Sequence, residues 1–221
     1  MKLRPLTIIV VASVLAMLAI SAWAWGRVPD DAQVPIHWGI DGQPNGYAPK
    51  WFGFLFTPAL GLVLGSVFLA IPRIDPRREH LVASTRAWVA ITGSAMVLLL
   101  IVHSAVVATV LGATFDMGRV VAVVVGGLFA VIGNFLGKTR SNWFMGIRTP
   151  WTLSSERSWT KTHRLGGRLF LVVGLLSIVL GLLTSDQVVF FALVPGIVVA
   201  ALVPIVYSYF AWRDDPEKRA L

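Results

Sequence analysis

Apolar residues in this chain fall into long unbroken runs separated by short polar segments, a pattern that fits neither alternating strands nor narrow-striped surface helices. Six runs hold no Asp, Glu, Lys or Arg: Leu6–Trp25, Phe52–Ile71, Ala87–Leu111, Val120–Gly137, Leu169–Thr184 and Val188–Ala211. They take up 123 of the 221 residues, so all 30 charged residues crowd into the other 98. A helix rises about 1.5 Å per residue and the hydrocarbon layer is about 30 Å thick, so roughly 20 apolar residues cross it. The pattern predicts an all-α, polytopic membrane protein with six transmembrane helices. The fifth run is short, and its helix is expected to begin earlier, with Arg164 and Arg168 reaching to the membrane surface. The first run follows Lys2 and Arg4 and ends on Ala22-Trp23-Ala24, as a cleavable signal would. Its length of about 20 exceeds the usual 7 to 15 residues of a signal core, so it is expected to stay as a span.

Composition agrees: 56% of residues are hydrophobic and 14% charged, where a soluble domain has about 45–50% and about 25%. The chain has no Cys, which removes disulfides, thiolate metal sites and thiol catalysis. The net charge of +8 acts chiefly as a topology signal. With the N-terminus inside, sixteen of the nineteen Lys and Arg residues face the cytoplasm, and only Arg27, Lys50 and Arg119 lie outside. Both termini are therefore expected in the cytoplasm. Dispersal of the basic residues among the loops argues against direct nucleic-acid binding. The chain divides into residues 1–72, two spans with an outer loop, and residues 73–221, a four-span region with a cytoplasmic loop at 138–168. The connection from Thr184 to Gln187 has room only for a tight turn.

Within the runs, Gly61-x-x-x-Gly65 and Gly133-x-x-x-Gly137 place small residues one turn apart, which suits close helix packing. Pro58, Pro195 and Pro204 remove backbone donors and are expected to bend their helices or free a carbonyl. His103 and Asn134 are costly to leave unpaired in lipid, so a hydrogen bond between them is expected. The prolines and His103 leave a small transporter or channel as the alternative reading. Against it, no run contains a titratable carboxylate and no internal repeat is evident.

Two loops carry the remaining information. The outer one runs Val34-Pro35-Ile36-His37-Trp38-Gly39-Ile40-Asp41-Gly42-Gln43-Pro44-Asn45-Gly46-Tyr47. Its Asp-Gly and Asn-Gly pairs and its prolines predict a compact, folded-back loop, with Trp38, Tyr47 and Trp51 at the bilayer surface. His37 by itself is no metal site, since zinc needs three or four ligands. In the inner loop, Thr149-Pro150 predicts a turn and Ser154 an N-cap, with a helix starting near Ser155. Arg157, Lys161, Arg164 and Arg168 then form one stripe, and Trp159, His163, Gly166 and Phe170 another about 200° away. This predicts a short amphipathic helix along the inner membrane face, bending into the fifth span at Gly166-Gly167. No nucleophile motif accompanies either His, and Glu156 lies two turns from His163, so no enzyme activity and no cofactor are expected.

Asn142 and the stretch Gly146-Ile147-Arg148-Thr149-Pro150-Trp151-Thr152-Leu153-Ser154, followed by Trp159-Thr160-Lys161-Thr162-His163-Arg164-Leu165-Gly166-Gly167, resemble the signature of the SdpI family of bacterial membrane proteins. The outer stretch with Pro35, His37, Trp38, Gly42, Pro44 and Tyr47 is similar to the domain of unknown function found at the N-terminus of that family's members. The resemblance implies a six-span protein of the bacterial cytoplasmic (inner) membrane that acts without catalysis. It also implies immunity to a membrane-active extracellular peptide toxin, and signalling through a cytoplasmic transcriptional repressor held at the membrane. These two motifs are the expected functional residues, with the lipid bilayer as the constant partner.

Overall fold

The computed structural model describes residues 3–184 and 186–218; Lys2, Ser185 and Arg219, which entered the topology and turn expectations, lie outside the described residues. Its elements in chain order are α1 (Arg4–Trp25), β1 (Gln33–Trp38), β2 (Pro44–Pro49), α2 (Lys50–Ile74), α3 (Arg78–Ala83), α4 (Thr85–Val110), α5 (Met117–Leu136), α6 (Pro150–Ser154), α7 (Glu156–Leu183) and α8 (Asp186–Arg213). Helices α1, α2, α4, α5, α7 and α8 each contain a stretch long and apolar enough to cross a membrane. All six runs of the sequence are thus helical. Many large side chains on them remain exposed, among them Ile8, Leu62, Leu176 and Phe191, as expected where lipid replaces water as the neighbour.

The first half is built around α1, which packs on α2 and α4. Val10, Val14 and Met17 of α1 form a buried cluster with Met96 and Trp88 of α4. Gly61 and Gly65 of α2 face that cluster, and a methyl group on either would meet Met17 at 2.7 Å or Val10 at 2.4 Å. The Gly61-x-x-x-Gly65 pair therefore serves close approach to α1.

The second half is α5, α7 and α8, with α5 and α7 in closest contact. Gly126 and Gly133 of α5 face Gly174 and Gly167 of α7 so tightly that a methyl on Gly133 would lie 2.3 Å from the Leu171 nitrogen, and one on Gly174 2.5 Å from the Ala130 nitrogen. Where the hydrophobic effect offers no drive between helices, such backbone approach supplies dispersion contacts instead. Ser177 of α7 adds a hydrogen bond across the seam, donating to the Ala122 carbonyl at 2.7 Å.

Several local expectations change. His103 does not meet Asn134. Its Nε2 lies 3.0 Å from the Ser21 hydroxyl and 3.2 Å from the Met17 carbonyl, because it sits on the α4 face turned to α1. Asn134 is exposed on α5 and instead accepts from Lys138 one turn on, at 3.2 Å. Ser154 is not the cap of the fifth span: its hydroxyl donates to the Pro150 carbonyl as the last residue of α6, and Ser155 caps α7 by accepting from the Ser158 N–H at 2.8 Å. Helix α7 continues unbroken through Gly166-Gly167 for 28 residues, about 42 Å, enough to project beyond the hydrocarbon layer. The two glycines do not separate a surface helix from the span. They let α7 press on α5, with Gly167 facing the Gly133 carbonyl. Pro58 lies inside α2, and Pro195 and Pro204 inside α8, without ending either helix. The outer loop contains strands that the turn signals did not predict.

Candidate functional site

The inner loop, residues 137–155, is a fixed structure organised by two fully buried polar side chains. Asn142 closes the first turn. Its amide oxygen accepts from the Phe144 and Met145 N–H groups at 3.0 and 2.7 Å, and its amide nitrogen donates to the Arg140 and Met145 carbonyls at 2.9 and 3.1 Å. All four hydrogen-bonding positions of the side chain are filled. His163 holds the second turn. Its Nδ1–H donates to the Trp159 carbonyl at 2.7 Å, leaving Nε2 to accept from the Ile147 N–H at 2.9 Å, an arrangement that only a neutral ring provides. The ring stacks on Trp159 with centroids 3.9 Å apart, and the Trp159 indole N–H donates to the Thr139 carbonyl at 2.9 Å. Gly146, at φ +117°, passes over this pair.

The loop then enters α6 through a reciprocal cap. Thr149 Oγ1 accepts from the Thr152 N–H at 3.1 Å, Thr152 Oγ1 accepts from the Thr149 N–H at 2.9 Å, and Pro150 opens the helix, where it lacks only a donor that would be unused. Thr149 also meets the Ser208 hydroxyl of α8 at 3.0 Å, and Trp151 packs edge-on against Tyr209 at 5.3 Å. Ser155 donates to Asp215 beyond α8, and that bond holds the Asp215 carboxyl below the usual carboxylate range. The expected inner residues Asn142, Gly146, Thr149, Pro150, Trp151, Trp159 and His163 thus meet in one assembly. Arg148 and Arg164 are exposed at its edge, with Arg148 donating to the Trp143 carbonyl at 2.6 Å.

Sequence reasoning missed the residues that clamp this loop from the second connection. Arg77 donates to the Ser141 hydroxyl and to the Leu153 carbonyl at 2.8 Å, His80 donates to the Ser141 carbonyl at 2.7 Å, and Asp75 accepts from the Trp143 N–H at 3.3 Å. More than sixty positions separate these partners, and no local spacing announces them. The α6 cap, by contrast, has a local sign in Thr149-x-x-Thr152, whose spacing is that of a reciprocal cap.

The outer loop is a two-stranded antiparallel hairpin of β1 and β2. Val34 pairs with Ala48 and Pro35 with Tyr47, and the register is irregular around His37. Gly42, at φ +74°, forms the turn, where Gly39 donates to the Gln43 carbonyl at 2.8 Å. His37 Nδ1 is hydrogen-bonded to the Asn45 amide oxygen, and Pro44 opens β2. Val34 is fully buried against Gly53 of α2. Lys50, also buried, donates to the Val28 carbonyl at 2.7 Å and to Asp30 at 2.8 Å, and its ammonium lies 4.9 Å from the centre of the Trp25 ring. The hairpin roofs an apolar cleft of about 440 Å³ bordered by Pro35, Trp38, Phe52, Phe56 and Val102. Inner and outer motifs stand at opposite ends of the bundle. Among the described residues no group of three His, Asp or Glu side chains could hold a metal ion.

Residues 138–208, which contain the inner loop and both of its buried organisers, match the SdpI/YfhL protein family. That part of the chain is similar to the SdpI/YfhL family. Residues 12–62, with the hairpin between α1 and α2, match a domain of unknown function, DUF1648. The chain is similar to "Immunity protein SdpI" of Bacillus subtilis (strain 168), 22% identical over 183 residues that cover 82% of this chain and 84% of that protein. No solved structure matches it at a significant level.

Proposed function

We propose that this multi-pass membrane protein is a non-enzymatic immunity protein of the bacterial cytoplasmic membrane, protecting its host from a membrane-active peptide toxin. The observation that carries the reading is its similarity to an immunity protein along most of both chains. The outer hairpin supports it physically. Pinned by Val34 and Lys50, it roofs a preformed apolar cleft between the outer ends of α2 and α4, suited to an amphipathic peptide arriving from outside. The inner loop supports a second role as the docking face for a cytoplasmic repressor, since a fixed scaffold holds Trp143, Phe144 and Arg148 exposed. Engagement of both ring nitrogens of His163 favours recognition over general-base chemistry at that residue.

Deleting the gene should sensitise cells to a peptide secreted by sibling cells, and restoring the gene should restore growth. Arg148→Ala and Trp151→Ala should lose protection at normal membrane levels. Unchanged survival of the deletion strain across a panel of such peptides would remove the immunity reading. Full protection by both variants would remove the inner loop from it.

A further inference from the structure

Where α4 begins and α5 ends, a cavity of about 560 Å³ opens at the basic end of the bundle, lined by Val82, Ser84, Arg86, Ala87, Phe135 and Lys138 among others. Two of its lining side chains are cationic and none is a carboxylate. Among the described residues neither cation has an ion-pair partner. The Lys138 ammonium has the Asn134 amide oxygen and the Phe135 ring beside it, the latter at 5.1 Å from its centre. Arg140 stands close by, its backbone N–H tied to the Ser84 hydroxyl at 2.9 Å. The other polar cavity at this end differs: around Arg77, His80 and Arg157 it also holds Glu156, Asp215 and Glu217, so its charges are balanced from within. The cavity at Arg86 and Lys138 lacks such balance, and its remaining wall is mixed, with Ser84 and Thr85 beside the apolar Val82, Ala83, Ala87 and Phe135.

We propose that this cavity binds the headgroup of an anionic phospholipid, with Arg86 and Lys138 as counter-charges to the phosphate and the acyl chains running along α4 and α5. Both side chains are exposed, so in bulk water, screened by salt, they would hold free phosphate weakly. A lipid differs in being held by its tails at the depth where the spans end, so the local concentration of phosphate at the cavity is high. The apolar part of the wall, Val82, Ala83, Ala87 and Phe135, suits the first methylenes of such a lipid, and the Ser84 and Thr85 side suits its glycerol and phosphate, whereas an inorganic anion would leave the apolar part unused.

The test is native mass spectrometry of the purified full chain in detergent, titrated with phosphatidylglycerol, phosphatidylcholine or inorganic phosphate. Wild-type protein should retain phosphatidylglycerol under conditions that strip phosphatidylcholine, and phosphate should not bind. The double variant R86Q/K138Q should bind about thirtyfold more weakly, as expected for two cations near a membrane surface. K161Q/R168Q, which removes the same charge from α7, should bind as wild type does. In unaltered protein, a photoreactive phosphatidylglycerol should label residues 82–87 and 135–138. Equal weakening by both double variants, full binding by R86Q/K138Q, binding of phosphate alone, or labelling confined to other segments would each overturn the proposal.

Discussion

A methyl group on Gly146 would lie 2.3 Å from Nε2 of His163, and the glycine holds φ +117°, so space and torsion both bar a side chain at the point where the inner loop crosses the imidazole. Gly146→Ala should therefore lift the loop from His163 and Trp159. The torsion alone costs about 1–3 kcal/mol, and the overlap adds to it. A lowered melting temperature in detergent, together with weaker protection, checks this; a variant as stable as wild type would contradict the close approach.

His163 should be needed as an acceptor more than as an aromatic ring. His163→Phe keeps a ring to stack on Trp159 and strands the Ile147 N–H, at a cost of about 1–3 kcal/mol for a buried unpaired donor. Amide exchange at Ile147 should accelerate in that variant. His163→Gln, whose amide oxygen accepts, should recover part of the protection from exchange.

The glycine seam between α5 and α7 makes a separate prediction. Gly133→Ala and Gly174→Ala place methyl groups 2.3 and 2.5 Å from backbone nitrogens of the opposite helix, so each should destabilise by about 1–3 kcal/mol through overpacking. Gly127→Ala meets nothing within 4 Å and should be neutral or stabilising by about 0.5–1 kcal/mol from helix propensity. Denaturant titration of the detergent-solubilised protein would distinguish the seam from the free glycine. Equal effects at Gly127 and Gly133 would refute it.

The six helices were legible because a charge-free run of about 20 residues has one stable form in lipid. The two motifs were legible as dense clusters of Trp, Pro, Gly and His within short windows. What escaped was pairing over distance. The expected His103–Asn134 bond failed because the sequence does not say which face of α4 meets α1, and Ser21, eighty-two positions away, gives no local sign. The clamp from Asp75, Arg77 and His80 onto the inner loop escaped for the same reason. The basic stripe and the Trp159–His163–Gly166 face were separated correctly by helical spacing, with Arg157, Lys161, Arg164 and Arg168 exposed and Trp159, His163 and Gly166 buried. A helix along the inner membrane face was expected, yet the Trp159–His163–Gly166 face meets α5 and the inner loop, because helical period reports amphipathicity and not the identity of the neighbour.

Acid should loosen the hairpin through Asp30. The Lys50 ammonium bonded to it holds the Asp30 carboxyl below its ordinary value. A carboxyl lowered by folding adds stability that is complete above the unfolded value, about 3.9, and is lost as pH falls through the lower folded value. Hydrogen exchange across residues 28–49 should thus be slower in wild type than in Asp30→Asn at pH 6, and the two should converge well below pH 4. A difference that persists undiminished into that acid range would assign the effect to something other than this carboxylate.

The opposite placement of the two motifs across the membrane can be tested directly, because the chain has no cysteine to obscure a labelling experiment. Gln43 at the hairpin turn and Lys161 on α7 are both exposed and stand at opposite ends of the bundle. The excess of Lys and Arg at the α7 end predicts that this end faces the cytoplasm. Gln43→Cys should then react with a membrane-impermeant maleimide on intact spheroplasts, and Lys161→Cys only after the membrane is opened. The reverse pattern would invert the protein, moving the hairpin to the cytoplasm and leaving the proposed repressor-docking loop where no repressor can reach it. Labelling of both positions from outside would be incompatible with six spans.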